Sequence, residues 1–291
     1  MDARVYDRAR GVCFEEKQFR DKQADFLYNT AAGRALLRLF VASKAFSRLS
    51  ALPGKRKKSA SKIGPFIETY GIDMSDYGDT AYETFYDFFI RKPLPGKRPF
   101  PQEAGVLGAV ADAKLTVYPV GPDLAVTIKN QPYTVAGLLD NAALARGFEN
   151  GLCLVFRLTV DDCHRYCFFD SGRVTGSSAA GGKLHTVGPV SAQRHRVYTE
   201  NYRCITTLAT DHFGEAAMIE IGAMLVGKIR NHPVGHFQRG DEKGYFAPGG
   251  SSIAVLLKAG AAVIDGDIAR YSAQGVETKV RMGERIGAAP C

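Results

Sequence analysis

From about Val106 onward the apolar positions come in short bursts separated by turn-forming residues, and each burst has the length of a strand. The bursts are Val106–Val110, Leu115–Val120, Ala125–Ile128, Leu152–Leu158, Ala217–Ile221, Met224–Ile229 and Ser252–Leu257. Only Val135–Ala145 among them reads as a helix. Strands without regularly alternating helices argue against a doubly wound parallel sheet and for an antiparallel sandwich or barrel. The first hundred residues read differently, as helices. In Gly33–Leu49, Leu36, Leu39, Phe40 and Phe46 fall on one helical face, with Arg34, Arg38, Lys44 and Arg48 opposite. Leu37 and Val41 intrude on the basic sector, so the segregation is imperfect. Ser61–Tyr70 and the aromatic-rich Tyr82–Arg91 are further helical candidates, and Lys92-Pro93-Leu94-Pro95-Gly96-Lys97-Arg98-Pro99 breaks regular structure. The expected architecture is α+β: a helical region over 1–98, then a mostly antiparallel, sandwich- or barrel-like domain over 99–291.

Composition narrows the partners. The 291 residues are 45% hydrophobic and 23% charged, the balance of a core-forming chain, and the formal charge is +8. Excess positive charge suits an anionic partner. The Gly33–Leu49 segment runs into Lys55-Arg56-Lys57-Lys58, an arrangement that serves equally to lie on an anionic bilayer or to pack on a core with a solvated charged end. Nucleic acid is not expected, because the aromatics of Tyr82–Arg91 form a stripe of their own instead of alternating with basic residues. No signal peptide is expected from the charged first residues. Leu36–Leu49 is too short and too charged to span a bilayer, which takes about 20 apolar residues. The cysteines at 13, 153, 163, 167, 204 and 291 lack metal-finger spacing, and no glycine-rich nucleotide loop is present.

The candidate chemistry sits at strand ends. Gly249-Gly250-Ser251-Ser252 leads straight into Ile253-Ala254-Val255-Leu256-Leu257. Two glycines permit close approach to the peptide, and Ser251 follows the carbonyl of Gly250 at the mouth of a buried strand. A Gly-Ser turn has the same pattern. A serine nucleophile needs a base, usually one oriented by a carboxylate. His164, in Asp161-Asp162-Cys163-His164-Arg165-Tyr166-Cys167, follows the strand Leu152–Leu158, and Asp112 follows another apolar run. Either is also compatible with a solvated turn. His185, in Lys183-Leu184-His185-Thr186-Val187, fits a base or a structural histidine.

Taken together, these residues give a chain that resembles the phosphatidylserine decarboxylases, self-cleaving pyruvoyl enzymes, in their bacterial form. The likeness runs through Phe26-Leu27-Tyr28 with Gly33-Arg34, Thr84-Phe85-Tyr86-Asp87-Phe88-Phe89-Ile90-Arg91-Lys92, Arg98-Pro99, Ala111-Asp112, Asp162-Cys163-His164-Arg165 and Val226-Gly227. It ends in Gly240-Asp241-Glu242-Lys243-Gly244-Tyr245-Phe246 and Gly249-Gly250-Ser251-Ser252.

The resemblance implies that Ser251 attacks the Gly250 carbonyl, that the chain parts into 1–250 and 251–291, and that Ser251 becomes a pyruvoyl group. That group would form a Schiff base with phosphatidylserine and release CO2 to give phosphatidylethanolamine, with no metal, pyridoxal or nucleotide. Asp112 would orient a histidine. Many members carry two histidines three residues apart, but this chain has His164 and then Cys167, with Cys163 in place of a tyrosine. By the resemblance, His164 serves both steps or another residue, with His185 the candidate, supplies the missing base. Ala113 and Ser252 stand where glycine and threonine are common. The implied setting is peripheral, on the cytoplasmic face of an anionic membrane, as a homodimer of the processed pair. A pyruvoyl decarboxylase of a soluble amino acid, and an unprocessed lipid-binding relative, are the competing expectations.

Overall fold

The computed structural model describes residues 3–16, 30, 52–78, 81–128, 131–185, 196–223, 229–248 and 251–290. The amphipathic segment 33–49, the Phe26-Leu27-Tyr28 motif, most of the strand expected at Met224–Ile229, and Gly249-Gly250 lie outside them. The chain enters with a hairpin, β1 (Ala3–Asp7) and β2 (Val12–Glu16). Then come β3 (Val106–Gly108), β4 (Ala113–Pro119), β5 (Ala125–Ile128), β6 (Gln131–Thr134) and β7 (Leu152–Leu158). β8 (Arg165–Cys167), β9 (Gly172–Ala180), β10 (Arg203–Thr210), β11 (Gly214–Ile221), β12 (Ile229–Asn231) and β13 (His236–Phe237) follow. The last are β14 (Glu242–Phe246), β15 (Ser251–Leu257), β16 (Val263–Ile264), β17 (Glu277–Val280) and β18 (Arg285–Ala288).

Ten strands form one sheet in the order β13-β9-β10-β11-β15-β7-β4-β17-β1-β2, all pairs antiparallel except β1 with β17. β15 is central and buried along its whole length because both faces of the sheet are covered. Ile253, Val255 and Leu257 join one core with Phe156, Leu115, Met218, Phe246 and Ile286. That core lies under two three-stranded sheets, β12-β14-β8 and β16-β18-β3. Ala254 and Leu256 face the other way, into a core with Leu138, Val197, Ile219 and Val126 from short helices and the β5–β6 hairpin. The period-two alternation of β15 thus feeds two cores at once. The fold is α+β with a sandwich-like side. Its sheets are open, so the barrel alternative does not form.

Three local readings are corrected. The N-terminal region opens with the β1–β2 hairpin, which belongs to the large sheet, where a helix was expected. The helix expected over Val135–Ala145 is two, Val135–Leu139 and Ala142–Ala145, because Asp140 turns left-handed (φ 52°) and Asn141 caps the second by accepting from Leu144 N. The helix expected over Ser61–Tyr70 starts at Ile63 after a 3-10 stretch, and ends at left-handed Gly71. Within Tyr82–Arg91 the helix covers only Phe85–Phe89, started by the Thr84 side chain, with Phe88 and Phe89 buried.

Candidate active site

Ser251 is the first residue of β15, opposite Leu158 on β7. Its side chain is fully buried, and its Oγ makes no hydrogen bond among the described residues. A buried hydroxyl left unbonded costs about 1–3 kcal/mol, so its retention asks for a chemical reason.

The turn after β7 places His164. Asp162 accepts from Thr159 N at 2.7 Å and Thr159 Oγ1 at 2.9 Å, pinching the chain so that β8 can leave in a new direction. The His164 carbonyl accepts from Phe246 N at 2.9 Å, the last residue of β14. The segment joining Phe246 to Ser251 is therefore tied at both ends to one turn, by Phe246 to His164 and by Ser251 to Leu158. The buried imidazole lies 4.1 Å from the Phe89 ring. Its Nδ1 is 3.1 Å from the Asp162 carbonyl, which can only accept, so Nδ1 donates there and the neutral ring has its lone pair on Nε2.

The aromatic helix and its exit steady the same turn. Arg91, buried against Tyr77 and Phe88, donates to the Asp161 carbonyl at 2.7 Å and the Asp162 carbonyl at 3.3 Å. Arg165 Nε reaches back to the Ile90 carbonyl at 3.0 Å.

Asp112 sits at the head of β4, and its carboxylate accepts from Arg98 Nε and Nη2, both at 2.8 Å, and from Met282 N at 2.8 Å. These bonds run to a guanidinium and a main-chain amide, where a bond to a histidine was expected. Arg98 Nη1 also donates to Asp76 at 2.6 Å. Gly283 (φ 83°) lets the chain turn here, since a Cβ would lie 2.3 Å from the Pro99 carbonyl oxygen. Met282 in turn meets Cys167, Sγ to Sδ at 3.3 Å. Burial, then the Glu242 carboxylate, pushes the Cys167 thiol up to about 12, so it is protonated at neutral pH and unfit as a base.

His185 is buried beside Asn201, which accepts from its amide at 2.9 Å and donates to its carbonyl at 2.8 Å. Asn201 also donates to the Gly222 carbonyl at 2.7 Å, one residue beyond the Ile221 that pairs with Ser252. His185 thus lies at the same end of the sheet as Ser251, beyond β11, with Nε2 3.6 Å from Glu200.

Two buried polar clusters flank the serine strand, one on each face of the sheet. Ser252, Arg157 and Lys114 are consecutive cross-strand partners on β15, β7 and β4. Arg157 binds Glu277 and Glu16, the latter at 2.7 Å. Lys114 binds Asp162 at 2.8 Å, Glu16 at 3.3 Å and the Thr159 hydroxyl. Burial opposes the charge on Lys114, but Asp162, Asp161 and Glu16 outweigh it and raise its pKa. On the other face, Glu220 pairs with Ile253 in register, a diagonal neighbour of Ser251, and binds Lys243 at 2.8 Å and Asn231 at 2.8 Å. Lys243 and Asn231 also line a cavity of about 630 Å3, together with Phe168, Ser177 and Thr206. The sequence carried a signal for both clusters, namely charges standing inside apolar strands at Lys114, Arg157 and Glu220.

The fold and site define a self-contained class: an open α+β sandwich whose central strand begins with a buried serine, beside a turn that orients a histidine. The chain belongs to the phosphatidylserine decarboxylase family, whose sequence profile matches residues 85–288. It is similar to phosphatidylserine decarboxylase proenzyme 2 of Clostridium acetobutylicum, 49% identical over 99% of both chains. It is also similar to the phosphatidylserine decarboxylase proenzymes of Chlamydia trachomatis, 33% identical over 97% of this chain and 95% of that one, and of Clostridium perfringens, 33% over 98% and 99%.

Proposed function

We propose that the chain is a proenzyme that cuts itself between Gly250 and Ser251 and then decarboxylates phosphatidylserine to phosphatidylethanolamine. The observation that carries this reading is the buried Ser251 hydroxyl at the head of β15, unbonded among the described residues, on a segment anchored at both ends to the His164 turn. His164 Nε2 takes the Ser251 proton, and Oγ attacks the Gly250 carbonyl carbon, exchanging the amide for an ester and freeing the 251 amine. Loss of the Ser251 Cα proton expels the Gly250 carboxylate. Water then replaces the nitrogen at 251 as ammonia, leaving a ketone at the new chain start. A buried serine with no competing hydrogen bond among the described residues fits a position that must shed its oxygen. When present, a pyruvoyl group there supplies an electron sink for the carbanion left by CO2.

His164 serves both steps in this proposal, since Cys167 is protonated and His185 is engaged by Glu200. Its Nε2 also holds the proton that returns to the decarboxylated carbon. Asp112 acts indirectly, fixing Met282 and the Arg98 corner around the site. Lys55, Arg56, Lys57 and Lys58 are exposed, which supports docking of the 1–98 region on an anionic bilayer while 99–291 does the chemistry. No helix among the described residues is long and apolar enough to cross a membrane. The setting proposed is the cytoplasmic face, as a peripheral homodimer.

Intact-mass measurement of wild type and Ser251→Ala tests the reading. Two fragments ending at 250 and starting at 251 are expected from the wild type, and one uncut chain from the variant. An uncut wild type fits the unprocessed relative instead. Cutting with no flotation on anionic vesicles at moderate salt favours a soluble amino acid as substrate.

A further inference from the structure

We propose that the N-terminal hairpin, β1 and β2, is a clasp for the 251–291 segment, holding its distal half in the sheet once that segment is a separate polypeptide. The clasp's role after cutting rests on the self-cleavage reading; its contacts do not. The segment contributes two strands to the large sheet, and they are held unequally. β15 lies between β11 and β7, paired over six and seven residues. β17 pairs with β4 over three residues only, Thr278↔Leu115, Lys279↔Lys114 and Val280↔Ala113. Its other edge is open except for β1, which covers it in parallel register, Val5↔Glu277, Tyr6↔Thr278 and Asp7↔Lys279.

Side chains of the hairpin reach further along the same segment. The Arg8 guanidinium binds Asp267 at 2.7 Å, Glu284 at 2.9 Å and Asp265 at 3.2 Å, and donates to the Arg285 carbonyl at 2.7 Å. One cation thereby joins the start of the helix Gly266–Ala273 to the turn before β18. Tyr6 stacks on Tyr271 of that helix with ring centroids 4.0 Å apart. Arg157 bridges Glu16 of β2 to Glu277 of β17. Among the described residues every side-chain partner of Arg8 is on the far side of the cut, so the hairpin grips a different polypeptide after maturation, at the end of the segment opposite the new chain start.

Hydrogen exchange on the purified protein reads the clasp directly. In Arg8→Ala, amides of 266–280 should exchange about tenfold faster, the scale of a lost multidentate charge-assisted contact, while those of 252–257 stay as slow as in the wild type. Tyr6→Ala, which keeps the ion cluster, should show the same pattern to a smaller extent. Unchanged exchange over 266–280 in both variants overturns the clasp. Mass spectra of the same samples report the cut: an intact wild type sinks the cleavage reading, while the exchange comparison still decides the clasp.

Discussion

Ser251 and Cys167 occupy opposite ends of the site's chemistry. Ser251→Ala should abolish cutting, read as a single uncut chain by intact mass. Cys167→Ala should still cut, since a thiol held near 12 supplies no base; loss of cutting in that variant would transfer the base role to residue 167. The places of Ser251 at a strand head and of His164 in the turn after β7 were legible because glycines before a strand and charges after one are local patterns. The partner of Asp112 was not legible. Arg98 reaches it from a Pro-rich exit, and Met282 from the far end of the chain, and no spacing rule links those positions. The departure from a histidine pair to Cys167 was visible as a letter, but only the fold shows the thiol closing onto Met282 instead of a base taking its place.

Among the elements, the charges set inside strands bear the most. Arg157→Ala leaves Glu277 buried without its cation, while Glu16 keeps Lys114, a loss of about 3–5 kcal/mol, seen as a melting temperature lower by on the order of 10 °C. The Asp76–Arg98 pair sets an acid limit. The Arg98 hydrogen bond holds the Asp76 carboxyl below its ordinary 3.8, so the pair's stabilisation is complete above that value and fades as pH falls beneath it. Acid titration of Arg98→Ala should therefore lack the part of the wild-type stability loss that falls below about pH 4. β4, β7 and β15 were readable as strands because burial makes them apolar at most positions, with Lys114, Arg157 and the two serines among the exceptions. The hairpin was not, since Ala3-Arg4-Val5-Tyr6-Asp7 is short and mixed, and it becomes a strand by pairing with β17, which follows it by most of the chain's length.

At the scale of the molecule, a +8 chain with Lys55–Lys58 exposed should float with anionic vesicles and be released by salt. Reversing Lys55, Lys57 and Lys58 to Glu should cut vesicle binding at least tenfold in a flotation assay without changing self-cleavage. Binding that survives the reversal would place the docking surface elsewhere. A change of texture near residue 99 was visible in the sequence. That the first strand and the last ones share a sheet was not, because such contacts depend on the whole chain closing on itself.

The most direct measurement is mass spectrometry of the freshly purified chain after treatment with a hydrazine that captures ketones. The account predicts a 251–291 fragment that carries the hydrazone at its first residue. A single polypeptide of 31.6 kDa that takes up no reagent would contradict it.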